Sequence, residues 1–266
     1  MKMYILFVLF LLGVLTFLYS LIYEPYALEV KKYTLKNPKL SGLKIVFASD
    51  FHVAPYSFEQ KRLQRIIKQI NSEKADIVIL GGDFVKGHRK KSSMPIENIA
   101  AELRGIKSRY GIYAVLGNHD TYYGKAEIVK VLTKVGITVL QNQNIKVKMQ
   151  NRDVYIVGVK DYASDMPDIQ KALNGCAEPA ILLSHSPDVF PDVNKVDLML
   201  AGHTHGGQVV FPVVGALCVP SKYGQKYRYG LITEQDKTLI ISKGLGTSFM
   251  PFRFNCKPEI VVINFE

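Results

Sequence analysis

Cysteine is scarce in this chain. Cys176, Cys218 and Cys256 are its three cysteines, they lie far apart, and no C-x-x-C occurs. An odd, scattered set excludes a disulfide framework and a cysteine zinc site. Each thiol is expected to be a small buried hydrophobe in a reducing compartment. Internal repeats and low-complexity segments are also missing, which removes solenoids and biased tracts from consideration. Acidic residues are outnumbered: 34 Lys and Arg face 23 Asp and Glu, and the formal charge of +11 is spread along the chain. Such a surface favours phosphates, nucleic acid or an acidic bilayer face, and equally suits a merely soluble basic protein. Histidine is rare too, with six in 266 residues. Two of these stand one residue apart in "LMLAGHTHGGQV", Leu198 to Val209.

With 48% apolar residues the chain can bury a sizeable core, as one large domain or two small ones. Met3 to Tyr23 carries no charge over 21 residues. As a helix this stretch rises about 30 Å, enough to cross a bilayer core. An uncleaved anchor and a secretory signal peptide both fit; the run is longer than a signal-peptide core and only a poor cleavage site, "LYS" ending at Ser20, is present, so residues 1–23 are expected to be an uncleaved membrane anchor. Lys31, Lys32, Lys36, Lys39 and Lys44 follow the span, against Lys2 before it, which places the folded part on the cytoplasmic side. Residues 24–42, with Pro25, Pro38 and Gly42, read as an extended linker with one short strand at Leu28 to Leu35.

From Leu43 onward, apolar runs alternate with helical periodicity. "LKIVFASD", "ADIVILGGD", "GIYAVLGNHD" and "ITVL" read as strands, with helices over "FEQKRLQRIIKQINSEK", Met94 to Lys107 and "KAEIVKVLTKV". The second half is richer in strands: a hairpin turning at Gln150 to Arg152, then "AILL", "VDLMLA", "YGLITEQDKTLIISKG" and "PEIVVINFE". An α/β domain over 43–266 follows, with two sheets packed face to face and helices outside.

Ligands in α/β folds gather beyond the carboxyl ends of strands. Here those ends carry Asp50-Phe51-His52, Gly81-Gly82-Asp83, Gly117-Asn118-His119-Asp120, Ser184-His185 and Gly202-His203-Thr204-His205. Five of the six histidines stand there. Singly, each fragment is an ordinary turn or helix cap. Together they offer carboxylate and imidazole ligands for borderline divalent metals, in a number that suits two ions rather than one. Residues i and i+2 of an extended segment point the same way, so Asp50 and His52 are expected to grip one ion.

"DFH…GGD…GNHD…SH…GHTH" resembles the signature of calcineurin-like metallophosphoesterases. "GHTHGGQV…FP", "KGLGTSFMPFRFNCKPEI" and the apolar N-terminus are similar to a bacterial membrane-associated branch. That branch contains general phosphodiesterases and a UDP-2,3-diacylglucosamine hydrolase of lipid A synthesis. The resemblance implies a four-layer α/β/β/α sandwich of two mixed sheets behind one N-terminal transmembrane helix at the bacterial inner membrane. It implies that Asp50, His52 and His205 hold one divalent ion, that Asn118, His185 and His203 hold another, and that Asp83 bridges them. The ions implied are manganese first, iron or zinc next. His119 is implied to stabilise the phosphate and protonate the leaving oxygen, with Asp120 orienting it and raising its pKa. A metal-bridging hydroxide would hydrolyse a phosphodiester or pyrophosphate. The substrates in view are a nucleotide-linked lipid such as UDP-2,3-diacylglucosamine, or a general cell-envelope or nucleotide ester. Nucleic acid is set aside, since a tether serves a nuclease poorly and no single-strand platform is evident. A noncatalytic metal-binding scaffold is disfavoured because holding metal requires neither His119 nor Asp120.

Further substrate contacts are sought in the basic loop holding Lys86, His88, Arg89, Lys90 and Lys91, in "YASDM", at Tyr223, Tyr227 and Tyr229, and at Arg253 as a phosphate contact.

Overall fold

The structure is a computed structural model that describes residues 1–87 and 90–266. The first half runs α1 (Lys2–Leu18), β1 (Glu29–Leu35), β2 (Lys44–Ala48), α2 (Ser57–Ser72), β3 (Ile77–Leu80), α3 (Ile96–Leu103), β4 (Ile112–Ala114), α4 (Asn118–Lys134) and β5 (Ile137–Val139). The second half runs β6 (Gln143–Lys148), β7 (Asp153–Gly158), α5 (Ile169–Leu173), β8 (Ala180–Leu183), β9 (Leu198–Ala201) and the small pair β10 (Val210–Phe211) and β11 (Gly215–Ala216). It closes with β12 (Gly230–Glu234), β13 (Lys237–Ile241) and β14 (Glu259–Phe265).

Two six-stranded mixed sheets result. The first is ordered β1-β14-β2-β3-β4-β5 and the second β12-β13-β9-β8-β7-β6. The alternation of side chains along each strand explains the layers. Ile45, Phe47, Ile77 and Ile79 of the first sheet join Ile181, Leu183, Leu198 and Leu200 of the second in one core between the sheets. Their neighbours Val46, Ala48, Val78 and Leu80 turn the other way, onto Leu63, Ile66 and Ile70 of α2, Ile99 of α3 and Ile128 of α4. Ala180, Leu182, Met199 and Ala201 likewise face Ala172 of α5 and Phe190. A strand buried on both faces has no polar side to show, so these segments read as unbroken apolar runs. The fold is the expected α/β/β/α sandwich.

The segment read as a linker is taken into the domain. β1 pairs in parallel with β14 over seven residues, Glu29 with Glu259 through Leu35 with Phe265, and forms the edge of the first sheet. Strand β14 is antiparallel to β2, whereas β2, β3, β4 and β5 are mutually parallel. The parallel strands β7, β8 and β9 do the same for the second sheet. Their carboxyl ends therefore open on one edge of the sandwich, where ligand-bearing loops collect.

Two expectations are corrected. Only Cys256 is buried; Cys176 is partly covered and Cys218 is exposed, because the loop carrying Cys218 lies outside the core. Helix α4 is interrupted at Gly124, φ 148° and ψ 80°: the helix expected from Lys125 follows that kink, and an unexpected helical segment from Asn118 precedes it, since the chain leaves β4 at Ala114 and turns at Gly117. Asn118 and His119 thus sit in a helix's first turn, not on an extended strand end.

No residue of α1 is buried. With the turns that continue it, the apolar helix runs Lys2–Tyr26, long and apolar enough to cross a membrane.

Candidate metal centre and its surroundings

The loops after β2 and β3 are fastened together backbone to backbone. Asp50 N–H donates to Gly82 O and His52 N–H to Asp83 O, both at 2.9 Å. The loop after β9 joins them from the other sheet, where His203 N–H meets the Asp50 carboxylate at 3.1 Å. Gly202 makes that approach feasible: a Cβ there would overlap the Ser49 hydroxyl and the Asp50 carboxylate. Gly117 plays the same part opposite Asp83.

These loops are not extended. Asp50, His52, Asp83, His203 and His205 all have left-handed backbone, with φ of 56, 42, 53, 69 and 52°. The expected i, i+2 geometry of an extended segment is therefore replaced by tight turns, which aim neighbouring side chains inward. Such conformations cost on the order of 1 kcal/mol or more each in non-glycine residues and persist where surrounding bonds over-determine them.

Six predicted site residues converge. Asp83 Oδ2 lies 3.4 Å from His52 Nε2 and 3.3 Å from His185 Nε2. His52 Nε2 faces His205 Nε2 at 3.1 Å, and His205 Nε2 is 3.5 Å from Asp50 Oδ1. On the other side of Asp83, His185 Nε2 faces His203 Nδ1 at 3.2 Å. Asp50, His52 and His205 form one set of donor atoms within 4.8 Å of one another, and Asp50, Asp83 and His185 form another. The His119 ring stands edge-on to His52, centroids 4.6 Å apart, and its backbone N–H donates to Asp83 Oδ1 at 2.9 Å. Asn118 Oδ1 is buried without a hydrogen-bond partner.

This set fits divalent cations. Burial holds His52 and His205 well below the usual imidazole range, and His203 below it, so all three present neutral rings. His185 bonds Gly81 O through Nδ1 at 2.8 Å, so Nε2 is the atom that faces Asp83 and would offer its lone pair once a cation took the place of its proton. Burial opposes a charge on His185, but Asp83 and Asp50 outweigh it and push that imidazole well above its usual value. The carboxylates thus call for positive charge at this spot. Buried His52 Nδ1 and His205 Nδ1 have no hydrogen-bond partner, while their Nε2 atoms point at each other. Nitrogen lone pairs converging with carboxylate oxygens are the donor set of borderline divalent metals.

The sequence motif of the calcineurin-like phosphoesterase family matches residues 43–207. This chain belongs to that family. It is 30% identical to the uncharacterized metallophosphoesterase YkuE of Bacillus subtilis, over 93% of this chain and 89% of the relative. An uncharacterized metallophosphoesterase of Aquifex aeolicus is 32% identical, over 91% of this chain and 94% of its own length. A Danio rerio relative named transmembrane protein with metallophosphoesterase domain is 30% identical over 90% of this chain and 57% of its own length. Among solved structures, the calcineurin-like phosphoesterase YfkN of Bacillus subtilis matches with a TM-score of 0.48 at 13% identity, over 76% of this chain and 81% of that one. The phosphoesterase is thus a phosphoric ester hydrolase with donor groups for divalent metals.

Arg62 and Asp161, beside the centre, were not foreseen. Asp120, expected to orient the His119 imidazole, is fully buried, and its oxygens accept backbone N–H bonds from Asp83, Gly117, Phe84 and Val85, at 2.7, 3.0, 2.9 and 3.4 Å. It clamps the "GGD" loop to the start of α4. Arg62, paired with Glu59 at 2.7 Å, donates to Phe51 O and Leu245 O and so braces the "DFH" loop. Its position one turn before Ile66 on the apolar face of α2 was a legible signal. Asp161, just beyond β7, is 2% exposed; its Oδ2 caps the turn at Ala163 and Ser164, and its Oδ1 has no hydrogen-bond partner.

Arg253 is not a phosphate contact. It is fully buried and donates to Gly246 O, Cys256 O, Lys243 O and Gly244 O. Phe51 is also interior, stacked on Phe84 with centroids 5.4 Å apart. Tyr227 packs edge-on to Phe190, and Tyr229 reaches Glu259. Lys90 pairs with Glu127. His88 and Arg89 of the basic loop lie outside the described residues.

Gly202→Ala is expected to lose bound divalent metal, read by elemental analysis, and with it at least tenfold in activity; retention of wild-type metal content would contradict the packing described. Asp120→Asn turns one of the two acceptor oxygens into a donor, set against two of the four N–H groups. It should lower unfolding free energy by about 1–3 kcal/mol, measured by urea titration.

Proposed function

We propose that this phosphoesterase is a membrane-anchored dinuclear hydrolase of phosphodiester or pyrophosphate bonds at a bilayer surface. The observation that carries the reading is the position of Asp83 Oδ2, 3.4 Å from His52 and 3.3 Å from His185, between two imidazole pairs. One carboxylate oxygen shared by two donor sets is what a bridged pair of ions requires. Asp50, His52 and His205 would hold one ion, Asn118, His185 and His203 the other, and Asp83 both. Manganese is the first candidate, with iron and zinc also suited to this oxygen and nitrogen set. When bound, two such cations neutralise phosphate oxygens and lower the pKa of a water between them.

The chain's own groups supply the rest. His119, edge-on to His52 at the first turn of α4, would donate to a phosphate oxygen and give a proton to the leaving group. Asp120 holds that turn in register with Asp83. The apolar helix Lys2–Tyr26 supports anchoring in the bacterial inner membrane, and the lysines of 31–44 support a cytoplasmic domain. An anchor and a basic surface together favour a nucleotide-linked lipid, with UDP-2,3-diacylglucosamine as the specific substrate put forward.

Hydrolysis of bis(4-nitrophenyl) phosphate with Mn²⁺ tests the reaction. His119→Ala should keep two metal ions per chain and lose about 10²–10⁴-fold in kcat, while Asn118→Ala should bind one ion fewer. Equal rates in His119→Ala and wild type would overturn the role of that imidazole. Release of UMP from UDP-2,3-diacylglucosamine in mixed micelles tests the substrate. Turnover of simple diesters without it would leave a general phosphodiesterase.

A further inference from the structure

On the reading of the chain as a membrane-anchored phosphoesterase, we infer that the base of the N-terminal helix is one wall of the catalytic cleft, and that an amphiphilic phosphoester slides in from the bilayer with an acyl chain against that wall.

A cavity of about 180 Å³ is lined by Leu21 and Tyr26 of the helix base, Phe58 of α2 and Pro251, and also by His52 of the metal centre and Lys86. One cleft therefore touches both the apolar helix and a metal-binding imidazole. Its volume is below the roughly 300–1,000 Å³ of a site that encloses a whole small ligand. It suits the part of a lipid between a phosphate and the bilayer, the remaining chain staying among other lipids.

The wall is fixed in place. Arg253 N–H donates to Ser20 O at 3.0 Å, and Cys256 N–H donates to the buried carboxylate of Glu24. Phe252 packs edge-on to Phe17 of α1, centroids 5.9 Å apart. The Cys256 thiol lies 3.2 Å from His205 O, so this one residue connects the helix base, at Glu24, to a ligand-bearing loop. A flexible tether needs none of these bonds.

Among the described residues, the aromatic side chains at the cleft's rim are left open to solvent. Phe58 is 49% exposed although Leu63, Ile66 and Ile70 of the same helix are buried. It stacks on Tyr56, 57% exposed, and meets Tyr26 edge-on at 6.2 Å. Phe249, two residues from Pro251, is 94% exposed. Aromatic side chains beside the end of a spanning helix are characteristic of the membrane–water interface. Lys86, 3.3 Å from Thr247 Oγ1, adds a cation to the same cleft, where a phosphate would pass.

The test compares two esters with the same leaving group, methyl and hexadecyl 4-nitrophenyl phosphate, on the full chain with Mn²⁺ in detergent micelles. Wild type should favour the hexadecyl ester in kcat/KM by about tenfold or more. The double variant Tyr26→Ala/Phe58→Ala should lose most of that preference, and Tyr26→Phe/Phe58→Leu should keep it. Partition into micelles is common to all three proteins, and unchanged metal content shows that each is folded. A preference that survives the double alanine substitution overturns the inference. Cleavage of both esters without preference also overturns it and leaves the phosphoesterase reading standing. If wild type cleaves neither ester, the reading beneath fails and the inference with it.

Discussion

Asp83 must carry a negative charge in a fully buried position between two imidazole pairs, and the edge of the sandwich is organised around meeting that demand. Its Oδ2 is held near His52 and His185, while its Oδ1 takes the His119 N–H. A buried carboxylate without compensation is costly. Burial pushes its pKa up, but the facing imidazoles, His185 foremost through charge and hydrogen bond, more than reverse this and hold Asp83 well below the usual carboxylate range. The two sheets contribute to this balance from opposite sides: Asp83 and His52 follow strands of the first, His185, His203 and His205 strands of the second. A one-sheet fold could supply half of the donors; the face-to-face packing supplies the pair.

The cost of the arrangement appears in the backbone. Five donors lie in left-handed conformations that the sequence does not offer to glycine. Glycines stand next to them instead, where side chains would collide, as Gly202 and Gly117 show. What keeps the strained turns in place is a set of bonds behind them. Asp120 collects four N–H groups from two loops, and Arg62 holds the carbonyls of Phe51 and Leu245. Neither residue needs to touch substrate to matter. Each keeps the donors from relaxing apart, which like-charged or lone-pair-bearing groups would otherwise do.

Much of this was legible from residue order. The runs at Ile45, Ile77, Leu182 and Leu200 could be placed as two-faced buried strands, and the polar residues following them as one edge. The sandwich and the meeting of Asp50, His52, Asp83, His185, His203 and His205 follow from that placement and from the family resemblance. Local conformation was not legible: alternation predicts where Asp50 and His52 point in an extended chain, and both are in turns. Long-range backbone bonding was equally hidden. Nothing in residues 29–35 announces a strand pairing with 259–265, because the partner lies at the far end of the chain. Arg253 looked like a phosphate contact because a lone arginine near a glycine-rich loop is ambiguous until its exposure is known.

Arg253 also shows how the apolar N-terminal helix and the centre come to share one structure. A fully buried guanidinium needs carbonyls on every side, and it draws Lys243, Gly244, Gly246 and Cys256 into a compact knot. Gly246 N–H in turn meets Asp50 O at 2.6 Å, and the knot's outer face bonds to Ser20 O. Its charge, added to burial, helps keep the His205 imidazole neutral, the form that can donate a lone pair. A lysine could supply the charge but not five N–H donors in a plane. Arg253 therefore ties two parts together: its backbone N–H holds the apolar helix at Ser20 O, and its guanidinium holds the loop that Gly246 fastens to Asp50.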